Sequence, residues 1–395
     1  MHRSPAVGAR AIGLAAAAIA ATAFSLPACA HELCAPLAAW TVPGSGRIAA
    51  PEILARAAKA QVVLLGESHD NADHHRWELQ TVAALAGMHP NMALGFEMFP
   101  RRVQPALDRW VEGELNEAQF LKESDWSNVW GYDAAFYLPL FQFARLNHVP
   151  MLALNVERSF PRAVRANGLA SVPVDQREGV YAPAAAGAAY LARLFRAYSQ
   201  HPDEKGATPM RSDPAFLHFV DAQLIWDRAM AQALAAAAAR DPDRLVVGIM
   251  GSQHVAHGDG VPHQLDSLGV KRIATLLPWS ADADCGDFTA NLASAVFGLP
   301  AEQSEPAAPP APLLGIQIEA IPAGVRIVAV SPGSIAETTG LQAGDVLTEA
   351  AGTAVKTTAE LKAIVVRMAP GTWLPLKAMR KDAPIELTAK FPPAK

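Results

Sequence analysis

Glu67 and His69 come directly after a strand-like apolar stretch, in the segment QVVLLGESHD. Glu97 lies near the end of the next apolar stretch, NMALGFEMF, and His254 follows a later one, VVGIMGSQ. Carboxylates and imidazoles act as general acids and bases, and they are also common ligands of divalent metals. If these stretches are neighbouring strands, the four side chains form one pocket that activates water with or without a metal.

A structural role is the alternative for each of these residues. Carboxylates that follow strands often cap the next helix through its backbone N–H groups. A buried histidine such as His254 is commonly a hydrogen-bonded core residue. A separate structural role would have to be assumed for each of the four residues, one after each strand. Their recurrence therefore favours a functional pocket.

Short, continuous apolar runs alternate with helix-like segments over most of the chain. Continuous hydrophobicity indicates strands covered on both faces, so the predicted fold class is α/β, a parallel sheet flanked by helices. Ligands bind at the carboxyl ends of such strands, so we expect Asn155 and Arg158 at the same edge. The intervals 101–147 and 160–240 are too long for simple crossovers and predict an inserted helical subdomain. The runs are QVVLLGE, NMALGFEMF, VPMLALNV, RLVVGIMG and RIATLLPW.

Two helix-like segments carry further candidates. His74 and His75 are adjacent, and neighbouring helix positions point about 100° apart, so at most one of them faces the pocket. In FLHFVDAQLIWDRAMAQAL, the residues Phe219, Gln223 and Asp227 recur at every fourth position and share one helix face. This face is predicted to be buried against the pocket; an exposed, solvated stripe is the alternative.

The formal net charge of −5 and the hydrophobic content of 51% over 395 residues are those of an ordinary globular protein. No run of lysines and arginines would follow a phosphate backbone, so nucleic acid is not an expected partner. Residues 1–28 are typical of a secretory signal peptide, because basic residues precede the apolar run AIGLAAAAIAATAFSL. That run is shorter than the roughly twenty residues of a membrane span.

The end of this segment allows two cleavage sites. LPAC resembles a bacterial lipobox, and cleavage there would leave a lipidated Cys29 at the new N-terminus. ACA, which ends at Ala30, fits ordinary signal peptidase and would leave a soluble protein. Cleavage at either site predicts that the protein lies in the periplasm or outer membrane of a Gram-negative bacterium. There, Cys34 and Cys285 would form a disulfide or remain as two free thiols, and the sequence favours neither.

A change in composition marks a domain boundary. GLPAEQSEPAAPPAP, residues 298–312, is rich in proline and has no apolar periodicity, so it is predicted to be a semi-rigid linker. We therefore expect an N-terminal tether over 29–50 and a first domain over 51–297. A small β-rich domain is expected over 313–395.

In their order and spacing, LLGESHDNADHH, LGFEMF, YLPLFQFAR, MLALNVER, AQLIWDRAMA and GSQHV resemble the ChaN family of haem-binding iron-uptake lipoproteins. The resemblance covers about residues 50–280. It implies that haem is the cofactor and is held between two copies of the chain, with a tyrosine oxygen on the iron and basic side chains on the propionates. Tyr137 is the first candidate ligand and Tyr132 the second. The other candidates for haem contact are His69, His254, Arg158, Gln223 and Asp227.

The family belongs to a superfamily with the Tiki and TraB proteins and the erythromycin esterases. There, the corresponding Glu, Glu and His positions are taken as catalytic or metal-binding. The resemblance therefore also implies an alternative function as a hydrolase, whose catalytic residues would be Glu67, His69, Glu97 and His254. No metal besides haem iron is assigned.

Residues 313–395 resemble a PDZ domain, because SPGSIAETTGLQAGDVL matches the bacterial form closely. LLGI resembles the carboxylate-binding loop, in which Leu314, Gly315 and Ile316 would offer backbone N–H groups to a peptide terminus. Such a domain adds an extended peptide to a sheet edge beside a helix. Ile318, Leu361 and Val365 would line that groove. A structural domain that binds nothing is the alternative.

Together these features predict an exported haem-binding protein that takes part in haem or iron uptake, or in haem handling, in the bacterial envelope. Its PDZ domain would bind the peptide tail of an envelope partner. Two alternatives remain at this stage: a hydrolase, metal-dependent or not, and a PDZ adaptor whose first domain has no catalytic role.

Overall fold

The computed structural model describes residues 1–2, 34–200, 209–301 and 313–393. The chain divides into two compact units, Met1–Glu302 and Gln303–Lys395. Nearly all of the predicted signal peptide, Cys29 with its predicted lipidation, and most of the predicted linker lie outside the described residues. Within the described ranges, no helix is both long and apolar enough to cross a membrane.

Eight strands form the sheet of the first unit: β1 (Trp40–Val42), β2 (Gly46–Ile48), β3 (Val62–Glu67), β4 (Met92–Pro100), β5 (Met151–Asn155), β6 (Leu245–Gly251), β7 (Ile273–Ser280) and β8 (Ala295–Leu299). Their order is β2-β1-β8-β7-β3-β6-β4-β5. The strands from β3 to β8 pair in parallel. The predicted α/β fold is confirmed, and each of the predicted apolar runs contains a strand.

The helices of the first unit are α1 (Ala50–Ala57), α2 (Ala72–Met88), α3 (Gln104–Val111), α4 (Glu117–Glu123), α5 (Trp126–Val129), α6 (Ala134–Leu146), α7 (Ser159–Asn167), α8 (Ala188–Ser199), α9 (Pro214–Arg240) and α10 (Val261–Ser267). Alternate side chains of β3 point to opposite faces of the sheet. Val63 and Leu65 pack with α1 to α6. Val62 and Leu64 pack with α9 and α10. The unit therefore has three layers, with the sheet in the middle.

The N-terminal edge of the sheet corrects the predicted boundaries. β1 pairs antiparallel with both β2 and β8, so residues 40–48 belong to the sheet although a tether was expected there. β8 extends to Leu299, inside the predicted linker. Trp40 is 4% exposed and packs against Trp77 and Phe297. Strands this short contain too few apolar residues to be recognised from sequence; burial of Trp40 holds them in place.

A disulfide joins Cys34 to Cys285, whose Cα atoms are 5.5 Å apart. It connects the segment before β1 to the loop after β7. The sequence left two free thiols as an equal alternative, and the structure has the bonded form.

The second unit contains β9 (Ile316–Ile321), β10 (Gly324–Val330), α11 (Ile335–Thr339), β11 (Val346–Ala350), β12 (Thr353–Ala354), α12 (Thr358–Val366), β13 (Trp373–Arg380) and β14 (Ala383–Lys390). The sheet has the order β14-β13-β11-β10-β9, with β12 paired to β11. β9 is thus an edge strand. A capping box of Thr357 and Glu360 starts α12. The small β-rich second domain is confirmed.

Candidate functional site

Glu67 ends β3, and its carboxylate is buried at the carboxyl edge of the sheet. Nδ1 of His69 donates to Oε1 of Glu67 at 2.8 Å. The imidazole also lies edge-on to Trp130, with the ring centroids 4.7 Å apart. Burial lowers the pKa of His69, but the hydrogen bond to Glu67 and the charges of Glu97 and Glu67 outweigh burial, so this pKa is raised. The side chain of His69 is 27% exposed, so the imidazole lies at the rim of the site.

The start of α2 brings a second histidine to Glu67. His75 donates from Nδ1 to Oε2 of Glu78 at 3.0 Å, and its Nε2 lies 3.2 Å from Oε2 of Glu67. Burial lowers the pKa of His75, but its hydrogen bond to Glu78 and the charges of both carboxylates outweigh burial and raise it. Burial raises the pKa of Glu78 to about 8. The carboxylate of Glu67 thus lies between two imidazoles.

His74 points away from this cluster. Its Nδ1 accepts a hydrogen bond from the backbone N–H of Ser68 at 2.9 Å, and burial lowers the pKa of His74 to about 4. Asn71 caps the helix by accepting from the backbone N–H groups of Asp73 and His74. The cap therefore fixes where the helix begins, and this places His75, and not His74, toward Glu67. Only one of the two histidines faces the cluster, as predicted from the angle of about 100° between adjacent helix positions.

Tyr137 lies behind the same carboxylate. Its side chain is 0% exposed, and its hydroxyl donates to Oε1 of Glu67 at 3.0 Å and accepts from Nε1 of Trp130 at 3.1 Å. Burial and the charge of Glu67 raise the pKa of Tyr137. The structure therefore keeps this phenol protonated and out of contact with solvent, which disfavours it as an iron ligand.

A second network joins the other candidate residues. Nδ1 of His254 donates to Oδ1 of Asp227 at 2.5 Å, and its Nε2 lies 3.5 Å from Oε1 of Glu97. Oε2 of Glu97 accepts from the backbone N–H of Gly251 at 2.7 Å. The hydroxyl of Tyr190 donates to Oδ2 of Asp227 at 2.8 Å. All four side chains are buried.

His254 is an imidazolium between two carboxylates. Burial lowers the pKa of His254, but the charges of Glu97 and Asp227 outweigh it and raise this pKa to about 10. Burial raises the pKa of Glu97, but the charge and hydrogen bond of His254 outweigh it, so this pKa is lowered. Both shifts favour the ion pair of the His254 imidazolium with the Glu97 carboxylate.

The two networks meet at Gly251, the last residue of β6. A Cβ atom at this position would lie 3.0 Å from Cε1 of His69 and 3.7 Å from Oε2 of Glu97. A side chain at this position would therefore crowd the imidazole of His69. The structure thus brings together Glu67, His69, Glu97 and His254, which the sequence placed after separate strands.

A cleft of about 530 Å³ opens beside Glu97. Asn155, another predicted residue, lines it and donates from Nδ2 to the backbone carbonyl of Glu97 at 2.9 Å. Gln223 also lines the cleft, whereas Asp227, one turn further along α9, is buried behind it. The apolar lining comes from Met98, Val129, Trp130, Val156, Phe219 and Trp226.

Three arginines form one wall of this cleft. Arg158, Arg162 and Arg165 lie at the start and along one face of α7. Arg158 donates from Nη2 to the carbonyl of Trp130 at 3.0 Å, and the guanidinium of Arg165 lies 4.8 Å from the ring centroid of Phe219. Among the described residues, none of the three forms an ion pair. This arginine row is available to an anionic ligand.

Tyr132 is the more accessible of the two tyrosine candidates. It is 39% exposed, and its ring packs against His69 and Trp130, with centroid distances of 5.3 and 5.6 Å. Trp130 also lines the cleft. Tyr132 therefore stands near the cleft with free surface, unlike Tyr137.

In the second unit, the predicted peptide-binding residues surround the edge strand. Gly315 precedes β9 with φ of +78°, and Leu314 is buried beside it. Ile316 and Ile318 lie on β9 and are partly buried. On the neighbouring helix α12, the side chains of Leu361 and Val365 are buried in the core of the unit. They would form the floor of a groove rather than its open walls.

Sequence reasoning missed two buried residues of the site, Glu78 and Tyr190. Glu78 is hydrogen-bonded to His75, and Tyr190 is hydrogen-bonded to Asp227. The signal for Glu78 is its spacing: it lies three positions after His75 on α2, so the two side chains meet. Tyr190 gave no such signal, because its partner Asp227 lies on another helix.

The family described as haem-binding uptake, Tiki superfamily, ChaN matches residues 53–265, more than half of the chain. The PDZ domain family matches residues 312–391. No curated protein is similar enough in sequence to be counted as a relative.

Solved structures resemble each unit. The structure of cofacial haem binding to ChaN of Campylobacter jejuni has 19% identity and a TM-score of 0.51, and the match covers 66% of this chain and 98% of that one. This likeness establishes the fold of the first unit. The HtrA3 PDZ domain bound to a phage-derived ligand has 20% identity and a TM-score of 0.18, covering 20% of this chain and 82% of that one. The serine endoprotease from Yersinia pestis has 23% identity and a TM-score of 0.19, covering 21% and 29%.

Proposed function

Because this chain belongs to the haem-binding uptake family of the Tiki superfamily that includes ChaN, we propose that its first unit binds haem in the cleft beside Glu97. The observation that carries this placement is the arginine row of Arg158, Arg162 and Arg165. It lines a largely apolar cleft, which also contains Glu97 and Glu157, and it forms no ion pair among the described residues. Haem combines a flat apolar ring with two carboxylates. The lining would bury the ring while the arginine row binds the propionates.

Tyr132 is our proposed iron ligand. Phenolate oxygen suits ferric iron, and Tyr132 has free surface beside the cleft. The sequence favoured Tyr137, but that hydroxyl donates to Glu67 inside the protein. Binding iron through Tyr137 would require breaking this hydrogen bond and exposing the buried ring. A haem-linked homodimer, with the second copy covering the open side of the cleft, is part of the same proposal.

The biological role we propose is haem or iron uptake, or haem handling, in the envelope of a Gram-negative bacterium. The Cys34–Cys285 disulfide supports export, because disulfides persist in oxidising compartments such as the periplasm. Lipidation of Cys29 would add a membrane anchor. The PDZ unit would bind the C-terminus of an envelope partner along β9, whose free edge is the surface that strand addition requires.

A hydrolase has weaker support than a haem carrier. Its predicted residues do converge, but Glu97 and His254 are ionised partners of each other, with the pKa of His254 raised to about 10. A general base needs a pKa near the working pH. We therefore assign this pair to holding the floor of the cleft.

Haemin titration of the purified chain, followed by visible absorption, tests the proposal. We expect saturable binding of one haem per chain. Tyr132→Phe should remove the tyrosinate-type spectrum, because the phenolate leaves the iron. The double substitution Arg162→Ala and Arg165→Ala should weaken affinity about tenfold or more, since a charge-assisted hydrogen bond contributes roughly 1.5–3 kcal/mol.

Matched controls are available on the same unit. Tyr181→Phe changes a tyrosine that is 66% exposed and does not line the cleft, and Arg76→Ala removes an exposed arginine paired with Asp73. Both should leave the titration unchanged. An unchanged spectrum in Tyr132→Phe would refute the ligand assignment. Absence of saturable binding by the wild-type chain would refute the haem proposal.

A further inference from the structure

We propose that the proline-rich segment 305–312 binds in a groove of the second unit, which we call the Trp373 groove. The groove encloses about 520 Å³. The first turn of α11, the start of β13 and the end of β14 line it, together with Pro392 and Pro393. None of the lining residues lies on β9 or α12, so the groove is separate from the surface proposed for a peptide tail. The inference is also independent of haem binding.

Trp373 presents a large apolar surface to this groove. It is 64% exposed, although it begins a strand of a packed sheet. The core of the unit takes Leu374, Leu376 and Ala378 from the same strand and does not include Trp373. An exposed aromatic ring that lines a groove is a typical contact surface for another stretch of chain.

The chain enters the second unit beside the Trp373 groove. The carbonyl of Leu314 accepts from the backbone N–H of Ala336, in the first turn of α11, at 2.8 Å. A Cβ atom on Gly315 would lie 2.3 Å from Cβ of Ser334, which lines the groove. Residues 302–312 lie outside the described part of the chain and end two positions before Leu314. At about 3.1 Å per residue, the segment 305–312 can span roughly 25 Å, enough to cross the groove.

The sequence of the segment, EPAAPPAP, has the chemistry that such a groove binds. Proline-rich peptides dock in grooves lined by aromatic rings, because they lose little conformational entropy on binding. The charges also match. The ammonium of Lys390 lies 5.0 Å from the ring centroid of Trp373 and forms no ion pair among the described residues, so it is available to Glu305. The four prolines are Pro306, Pro309, Pro310 and Pro312.

The occupant we assign is the segment of the same chain rather than that of a second copy. The segment is joined directly to Leu313, whose neighbour Leu314 is hydrogen-bonded to α11. A short tether gives an effective concentration in the millimolar range at the groove. A second copy would reach that concentration only in a very concentrated solution, so the tethered segment occupies the groove first.

Fluorine NMR of the full chain tests the inference, because Trp373 is the only one of the eight tryptophans that lies after residue 302. The chain is labelled with 5-fluorotryptophan, and Trp373→Phe identifies the resonance of Trp373. Changing all four prolines of the segment to serine should shift this resonance. It should also increase the shift caused by replacing H₂O with D₂O, since the indole ring becomes more exposed to solvent. The resonances of the other tryptophans should not move.

Pro300→Ser is the matched control, because Pro300 precedes the segment and belongs to the first unit; it should leave the Trp373 resonance in place. Adding the peptide EPAAPPAP at millimolar concentration to the four-proline variant should restore the wild-type resonance. Identical Trp373 resonances in the wild-type chain and the four-proline variant would overturn the proposal. A wild-type resonance that moves on dilution would overturn the assignment to the same chain and indicate a second copy.

Discussion

The pKa of the buried His254 is shifted from its ordinary value in the folded protein, so its titration is linked to stability. Its pKa is raised from 6.5 to about 10 by Glu97 and Asp227, against the effect of burial. A group whose pKa is higher in the folded state stabilises that state below the unfolded value and loses the contribution as pH rises through the folded value. The stabilisation from His254 is therefore complete below about pH 6.5 and disappears as the pH approaches 10.

Asp227→Asn tests this charge network. The substitution removes one carboxylate from a buried ion pair, so we expect the free energy of unfolding at pH 7 to fall by about 3 kcal/mol. Asp221→Asn, on the same helix but less buried, should change it by less than about 0.5 kcal/mol. Urea unfolding followed by tryptophan fluorescence measures both. The deficit of Asp227→Asn should shrink toward pH 10; a deficit that does not vary with pH would contradict the assignment of charge to His254.

The loop before β9 depends on a glycine. Gly315 has φ of +78°, and a Cβ atom there would lie 2.3 Å from Cβ of Ser334. Gly333 also has positive φ, +70°, but a Cβ atom would meet nothing within 4 Å. An alanine at either position would strain the backbone, but only an alanine at Gly315 would also push the loop away from Ser334. Comparing the two substitutions therefore separates the two effects.

Gly315→Ala should weaken binding of a peptide with a free C-terminus by at least about tenfold, because the loop has to move away from β9. Gly333→Ala should lose only roughly 1 kcal/mol of stability, from its left-handed backbone, and keep its peptide affinity. Fluorescence polarisation with a labelled peptide ending in an apolar residue measures the affinity, and the amidated peptide serves as the negative control. Equal affinity of the two variants would show that this loop does not hold the carboxylate.

Strands with continuous apolar sequence could be predicted, and the hairpin at the edge could not. β3 to β7 are apolar on both faces, so each run of residues identifies its strand. β2 contains Gly46, Arg47 and Ile48, which carry no comparable pattern, and pairing with β1 alone defines it. The site followed the same division. The sequence identified the site residues that directly follow strands. It could not rank Tyr137 against Tyr132 as iron ligand, because sequence spacing does not show which of the two side chains is exposed.

The Cys34–Cys285 disulfide closes a loop over most of the first unit, with a sequence separation of 251 residues. Cross-linking residues so far apart restricts the unfolded chain, so the double substitution Cys34→Ser and Cys285→Ser should lower the free energy of unfolding by about 2–5 kcal/mol. Urea unfolding with and without a reductant provides the measurement. Reductant should destabilise the wild-type chain and leave the double variant unchanged. No effect of reductant on the wild-type chain would contradict this prediction.

The pairing of β1 with β8 also determines when the first unit can finish folding. Trp40 is opposite Phe297, so a segment near the start of the described unit has its partner near the end of the unit. Contacts of such high sequence separation form late and slow the folding reaction. A growing chain would therefore keep this edge of the sheet open until synthesis of the unit is nearly complete.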